Sequence, residues 1–301
     1  MANLKTYVVL TVLVMGLVFL GIGCTDTDSG EETAPAEEAP ADEADEAVSE
    51  SIDIRGSDTV LPLAQAEAEA FMAQNPDKDI SVTGGGSGVG IAALLEGEID
   101  IADASREMKD SEREAAAEKG IEPVEHVVAY DGISVIVHPD NPLDELTYEQ
   151  LNQIYGGEIS NWADVGGEDM DIAVISRDST SGTYEYFKEE ILGDEGEYRA
   201  DKITQGSNGA IVSEVAQNPK AIGYIGVAYL ADSVKAVSVD AGDGAQYPSK
   251  ENIEGGVYPL ARPLLMYTNG EPTGLAKEFI DFIGSEEGQE IVLEVGYFPA
   301  P

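Results

Sequence analysis

The chain has 301 residues, 43% of them hydrophobic, and sets 59 acidic side chains against 16 basic ones for a formal charge of −43. Length and apolar content suffice for one or two packed domains. The acid excess leaves no basic face for a phosphate backbone and excludes nucleic acid as a partner. So acidic a surface stays hydrated and suits life in high salt, where at 1 M the Debye length falls to about 3 Å and self-repulsion is screened.

The first 24 residues read as a signal segment. Lys5 gives a short positive start, residues 7–20 are almost unbroken apolar, and "GIGC" closes the run at Cys24, the only cysteine. The run is short for a membrane span. A cysteine at that junction, followed by "TDTDSGEE", marks a lipid-attachment site, with a retained anchor helix as the alternative. Gly21 stands where a lipobox usually carries leucine, with Leu20 one place earlier. Either way the rest is expected on the outer face of the cell membrane and tethered to it. No Arg-Arg pair precedes the apolar run, which points to the general secretory route. No second cysteine is present for an internal disulfide.

Residues 25–51 hold 11 acids and no base. They bury too little apolar surface to offset ordering entropy and read as a disordered spacer. Removing those acids and Lys5 leaves 48 acids against 15 bases on the remainder.

From Ile52 onward strands and helices alternate. "SIDIRG" predicts a strand and residues 59–75 a helix, with Pro62 tolerated in its opening turn. "DISVTGG" predicts a strand, "VGIAALLEGE" a helix, "IDIADASR" strand then loop, and "SEREAAAEKG" a polar helix. Residues 124–139 form a long β-rich run ending in the turn Pro139–Pro142. Helix 147–157, strand 171–177 and helix 183–193 follow, the last with Tyr184, Phe187 and Ile191 on one face. Residues 207–219 predict a helix, 221–230 a strand into a turn or helix, 234–240 a strand and 258–270 an extended segment. One or two helices close the chain over 275–297. Such alternation argues for α/β layers.

Three strand-to-helix junctions share one chemistry: "GSDTV" at 56–60, "GGGSGVG" at 84–90 and "RDSTSGT" at 177–183. A helix start has unpaired N–H groups and the positive end of the dipole, so it receives an anion without a lysine. Glycine lets that backbone come close, and Ser/Thr hydroxyls add directed donors. Singly, each junction is an ordinary N-cap. Three together, with Arg177 four residues before Ser181 and Arg106 after the third strand, point to one anion site.

The segments "GSDTVLPL", "GGGSGVGI", "DIADASREM", "RDSTSGTYEYF" and "PKAIGYIGVAYL" resemble, in order, the phosphate-binding proteins of ABC-type phosphate importers. The chain is similar to that family from Ile52 to the C-terminus. The resemblance implies a two-lobed, type II periplasmic-binding-protein fold, with mixed sheets flanked by helices and two crossing hinge strands. The lobes would be residues 52–132 plus 260–301, and 133–259. It implies inorganic phosphate as ligand, an ABC permease and ATPase as partners, a monomer, and neither cofactor nor metal. Carried over by position, Thr59, Ser87, Arg177, Ser181, Gly182 and Thr183 bind the ion, with Ser57 a further donor. The best-known bacterial pattern has an aspartate after Ala-Ser that accepts the ligand's proton. Arg106 stands there instead, which makes it a ligand and leaves Asp58 and Asp103 as candidate acceptors.

Other classes find less support. His126 and His138 lie in apolar β-rich sequence, and the nucleophile elbow fails around Ser87 because residue 89 is valine. No His/Cys metal spacing and no Walker lysine appear, "GVGIAA" is a weak dinucleotide match, and Glu189/Glu190 read as a solvated helix face. A receptor for sulfate, molybdate or tungstate would use the same helix-start chemistry. A non-transport surface lipoprotein would account for the spacer.

Overall fold

The computed structural model describes residues 50–193 and 195–300, so the signal segment, Cys24 and most of the spacer lie outside the described residues. β1 (Glu50–Gly56) begins two residues inside the stretch expected as spacer, because its exposed first residues pair in parallel with Lys78 and Asp79. α1 (Leu61–Gln74), β2 (Lys78–Thr83), α2 (Ser87–Glu96), β3 (Ile101–Ala104) and α3 (Asp110–Lys119) follow, then the 15-residue β4 (Pro123–Val137). Next come β5 (Glu145–Thr147), α4 (Tyr148–Gly156), β6 (Ala173–Arg177), α5 (Gly182–Phe187), β7 (Ile203–Gln205), α6 (Asn208–Gln217) and β8 (Ala221–Gly226). β9 (Lys235–Ala236), β10 (Ser238–Asp240), α7 (Lys250–Glu254), β11 (Ala261–Asn269), α8 (Gly274–Ile283), α9 (Glu286–Val295) and β12 (Phe298–Pro299) complete the order.

Several boundaries differ from expectation for local reasons. α1 starts at Leu61 and leaves Thr59 in the turn, since the Ser57 hydroxyl caps the Thr59 and Val60 N–H groups. The helix expected over 183–193 is α5 followed by a wide π-helical turn at Lys188–Leu192. The strand expected over 234–240 breaks in two: β9 pairs with β4, and β10 pairs with β5 in a separate small sheet. Ser285 caps Gly288 N–H and divides the closing helices.

The main sheet runs β2-β1-β3-β11-β4-β8-β6-β7. β4 joins its two halves: residues up to Gly132 pair antiparallel with β11, and from Ile133 the partner is β8. At that handover a Cβ on Gly132 would press on the Ile253 side chain, 2.5 Å from its terminal methyl. The first half is covered by α1, α8 and α9 on one face, where Phe71 meets Phe279 and Phe282 edge-on, and by α2 and α3 on the other. The second half is covered by α4, α5 and Trp162 on one face and by α6 on the other. Both halves therefore bury apolar helix stripes against a sheet, and their parallel strands end facing each other. Crevices beyond the C-terminal ends of strands are where open α/β sheets bind ligands.

Candidate functional site

The loops leaving β1, β2, β3 and β6 meet in that crevice. Ser57 Oγ donates to Ser105 Oγ at 2.9 Å, and Ser105 N–H donates to Ser87 Oγ at 3.1 Å. Gly182 opens α5 directly against this pair; a Cβ there would collide with the hydroxyls of both Ser87 and Ser105. Thr59 and Thr183 approach from opposite halves, their hydroxyl oxygens 3.0 Å apart. Ser57, Thr59, Ser87, Ser105, Ser181 and Thr183 are all buried. Hydroxyls from both halves thus converge on one buried spot. The loop carbonyls are held from outside, with Tyr229 donating to Asp58 O at 2.7 Å and Tyr297 to Thr59 O at 2.6 Å.

Arg177, at the end of β6, is a buried cation with two spare donor nitrogens, where Arg106 has one. Its Nη2 bonds Asp58 Oδ2 at 2.7 Å and Gly206 O at 3.1 Å, while Nε and Nη1 are buried without partners. Leaving a buried charged donor unmade is costly, so two such N–H groups on one guanidinium mark a place for an acceptor. The arginine is positioned by Tyr224, whose ring stacks on Phe187 at 4.1 Å and whose hydroxyl lies 2.8 Å from Ser176 Oγ and accepts from Arg177 N–H at 3.4 Å.

Each arginine around the crevice has its own acid. Arg177 pairs with Asp58, Arg262 with Asp131 at 2.8 Å, and Arg106 with Glu112 at 2.7 Å. The cations thus add little net field, and an anion here depends on dipoles and directed hydrogen bonds. Burial pushes the Glu112 carboxyl up, but the Arg106 guanidinium and the Lys109 N–H hold it below its ordinary range. Asp103 differs: it is buried with both carboxyl oxygens unpartnered, and desolvation raises it to about 8.

Of the residues singled out in the sequence, Ser57, Thr59, Ser87, Gly182 and Thr183 come together, Arg177 and Asp58 pair beside them, and Ser181 caps α5 by accepting from Tyr184 N–H at 3.3 Å. Arg106 stands apart from that group, with Nε buried and unpartnered. Its Nη1 and Nη2 make two bonds to Glu112 and one to Glu107 O. Asp103 makes no hydrogen bond to Arg177. Four residues escaped the sequence reading: Ser105, Asp131, Asn208 and Arg262. The available signal was a single charge inside an apolar run, as in "YDGIS" and "LARPLL".

Further contacts close the crevice across the two halves. Gly88 N–H donates to Thr180 O at 3.0 Å, and Lys109 pairs with Glu185 at 2.9 Å. A groove of about 590 Å³ beside them has Arg262 and Tyr186 in its wall. Among the described residues no three His, Cys, Asp or Glu side chains group as a metal site, and no helix is long and apolar enough to cross a membrane.

This arrangement defines a binding protein of the two-lobed α/β class, and comparison with known proteins agrees. The PBP superfamily domain matches residues 38–287. The phosphate-binding protein PstS of Bacillus subtilis (strain 168) is 35% identical over 297 residues, 98% of this chain and 94% of the relative. A crystal structure with bound phosphate, of a Clostridium perfringens protein described as a phosphate ABC transporter substrate-binding protein, superposes with TM-score 0.76. It is 39% identical and covers 83% of this chain and 100% of that one. A Vibrio cholerae ABC-type phosphate transport receptor gives TM-score 0.70 at 33% identity, with 83% and 100% covered. The chain belongs to the PBP superfamily and, within it, to the family of these phosphate-binding proteins.

Proposed function

We propose that the chain captures inorganic phosphate outside the cell and delivers it to an ABC permease–ATPase complex, acting as a monomer by recognition and hinge closure rather than by catalysis. The observation that carries this is Arg177, buried with Nε and Nη1 unpartnered and bonded to Asp58 in the turn that also holds Ser57 and Thr59. The ligand set is Thr59, Ser87, Arg177, Ser181, Gly182 and Thr183. Ser57 acts behind them, its proton spent on Ser105. Residues 52–132 with 260–301 and residues 133–259 form the lobes, hinged where β4 changes partner and where Leu260 O accepts from Ile133 N–H at 2.9 Å. Asp58 is the carboxylate placed to read the ligand's proton, because it shares Arg177 with the anion. Cys24 carries the lipid anchor, and the acidic surface serves a saline habitat.

Micromolar affinity corresponds to about 8 kcal/mol, within reach of several charge-assisted bonds at about 1.5–3 kcal/mol each. Calorimetry with phosphate, sulfate and molybdate on the purified chain tests the reading. Phosphate should bind at least tenfold tighter than the others, and Asp58→Asn should narrow the gap to sulfate. Equal affinity for all three oxyanions, or none for any, rejects it. Loss of membrane association in Cys24→Ala tests the anchor separately.

A further inference from the structure

The two threonines that meet across the crevice each have a donor behind them. Arg262 Nη2 donates to Thr183 Oγ1 at 2.9 Å, and Asn208 Nδ2 donates to Thr59 Oγ1 at 3.2 Å. Neither bond can reverse. A guanidinium has no acceptor, and the Asn208 amide is oriented by Gly226 N–H, which donates to its Oδ1 at 3.4 Å. Arg262 is itself immobilised. Nε and Nη2 reach Asp131 Oδ2 at 3.1 and 2.8 Å, and Nη1 reaches Ser105 O at 2.8 Å. The other Asp131 oxygen accepts from Val227 N–H at 3.0 Å. Arg262 and Asp131 are register partners on β11 and β4, one position before the handover between sheet halves.

We propose that Arg262 and Asn208 are positioning residues that set the polarity of Thr183 and Thr59, turning both hydroxyl protons toward the bound anion. The inference rests on reading the crevice as an oxyanion site. An isolated threonine hydroxyl rotates freely and meets a ligand as donor or acceptor. Here each oxygen already accepts from behind, so one of its two lone pairs is occupied and its proton is biased toward the front. One proton spans the 3.0 Å gap between the two oxygens; an oxyanion laid against the pair takes both. The charged donor behind Thr183 polarises its O–H further, since chained hydrogen bonds reinforce one another.

The ligand group that fits is an oxygen able to accept two bonds and bearing no proton. A ligand presenting only O–H groups at that point is held less well, since each threonine has a single lone pair left to accept with. Arg262 acts through Thr183 and not as a free charge, because Asp131 neutralises it at contact. Asn208, from α6, and Arg262, from the hinge strand, thereby link the ligand's grip to the places where the halves join.

Two double-mutant cycles on the full chain test this by calorimetry with inorganic phosphate. Arg262→Lys keeps a cation for Asp131 and loses the bond to Thr183. It should weaken binding roughly ten- to hundredfold in the wild-type background and less than about twofold once Thr183→Val is present. Asn208→Ala should cost roughly two- to tenfold alone and nothing further beside Thr59→Val. Losses that multiply in a cycle overturn the role of that cycle's outer residue, since it then acts independently of the threonine. Single variants that bind like wild type overturn it as well. Should Arg262→Lys fail to fold, the Asn208 cycle decides. A wild-type chain that binds no phosphate removes the oxyanion reading and this inference together, whereas firm wild-type binding with multiplicative losses removes the inference alone.

Discussion

Replacing Asp103 by asparagine should change how stability depends on pH. Asp103 is 1% exposed, neither carboxyl oxygen has a partner, and burial moves it from 3.8 to about 8. Between those values the folded protein keeps a proton that the unfolded chain has released. The folded state therefore binds one more proton, so stability is full below pH 4, falls as pH rises, and levels off above pH 8. One proton amounts to about 1.4 kcal/mol per pH unit. From pH 5 to pH 7 the wild type should lose about 3 kcal/mol that Asp103→Asn retains. Glu67, also buried without a partner and raised to about 8 by burial and by Glu287, is present in both proteins and cancels in the difference. Urea unfolding at pH 5, 6 and 7 and fixed ionic strength measures the effect. A stability difference constant to within about 0.5 kcal/mol across that range would mean that Asp103 is ionised in the fold, and the reasoning would fail.

Arg177→Ala removes the two unpartnered donors and leaves Asp58 uncompensated, so phosphate affinity by calorimetry should drop at least about tenfold; an unchanged value would take Arg177 out of the site. With 48 acids against 15 bases beyond residue 51, the domain repels phosphate at low ionic strength. The stopped-flow association rate should therefore rise as salt is added from about 10 mM, opposite to a basic anion binder. The Lys109–Glu185 pair joins the two halves but is partly exposed, at 45% and 22%, and such pairs are worth about 0.2–1 kcal/mol. Lys109→Gln should speed phosphate release by up to about fivefold and leave association unchanged.

What the sequence made legible is what repeats locally. Glycine and hydroxyl residues between a β-run and an amphipathic run placed α1, α2 and α5 and, with them, Thr59, Ser87 and Thr183. Arg177 was visible because it sits four residues from a cap. Glu112, six residues on, takes Nη1 and Nη2 of Arg106, a pairing the loop sequence does not announce because it does not say which way a long side chain turns. Asp131 and Arg262 are 131 residues apart and become partners only through strand register, so each read as a stray charge in an apolar strand. Asn208 reads as the opening of an ordinary helix, which it is; its amide reaches Thr59, 149 positions away, only through the tertiary fold.

The protonated Asp103 also bears on how so acidic a molecule holds an anion. Every arginine in the crevice is already matched by a carboxylate, so one more negative charge nearby would not be offset. The Asp103 carbonyl accepts from Ser57 N–H at 3.0 Å, which sets the residue directly behind the turn that opens α1. While its carboxyl keeps its proton, the positive end of that helix is unopposed. Above pH 8 the carboxyl ionises within a low-dielectric interior, where like charges repel far more than in water. Phosphate affinity should therefore fall severalfold between pH 7.5 and pH 9.5, a range in which the ligand remains mainly the dianion, and Asp103→Asn should flatten that fall. Calorimetric profiles of wild type and variant that superimpose across the range would show that Asp103 does not act on the anion, and that the crevice tolerates its charge.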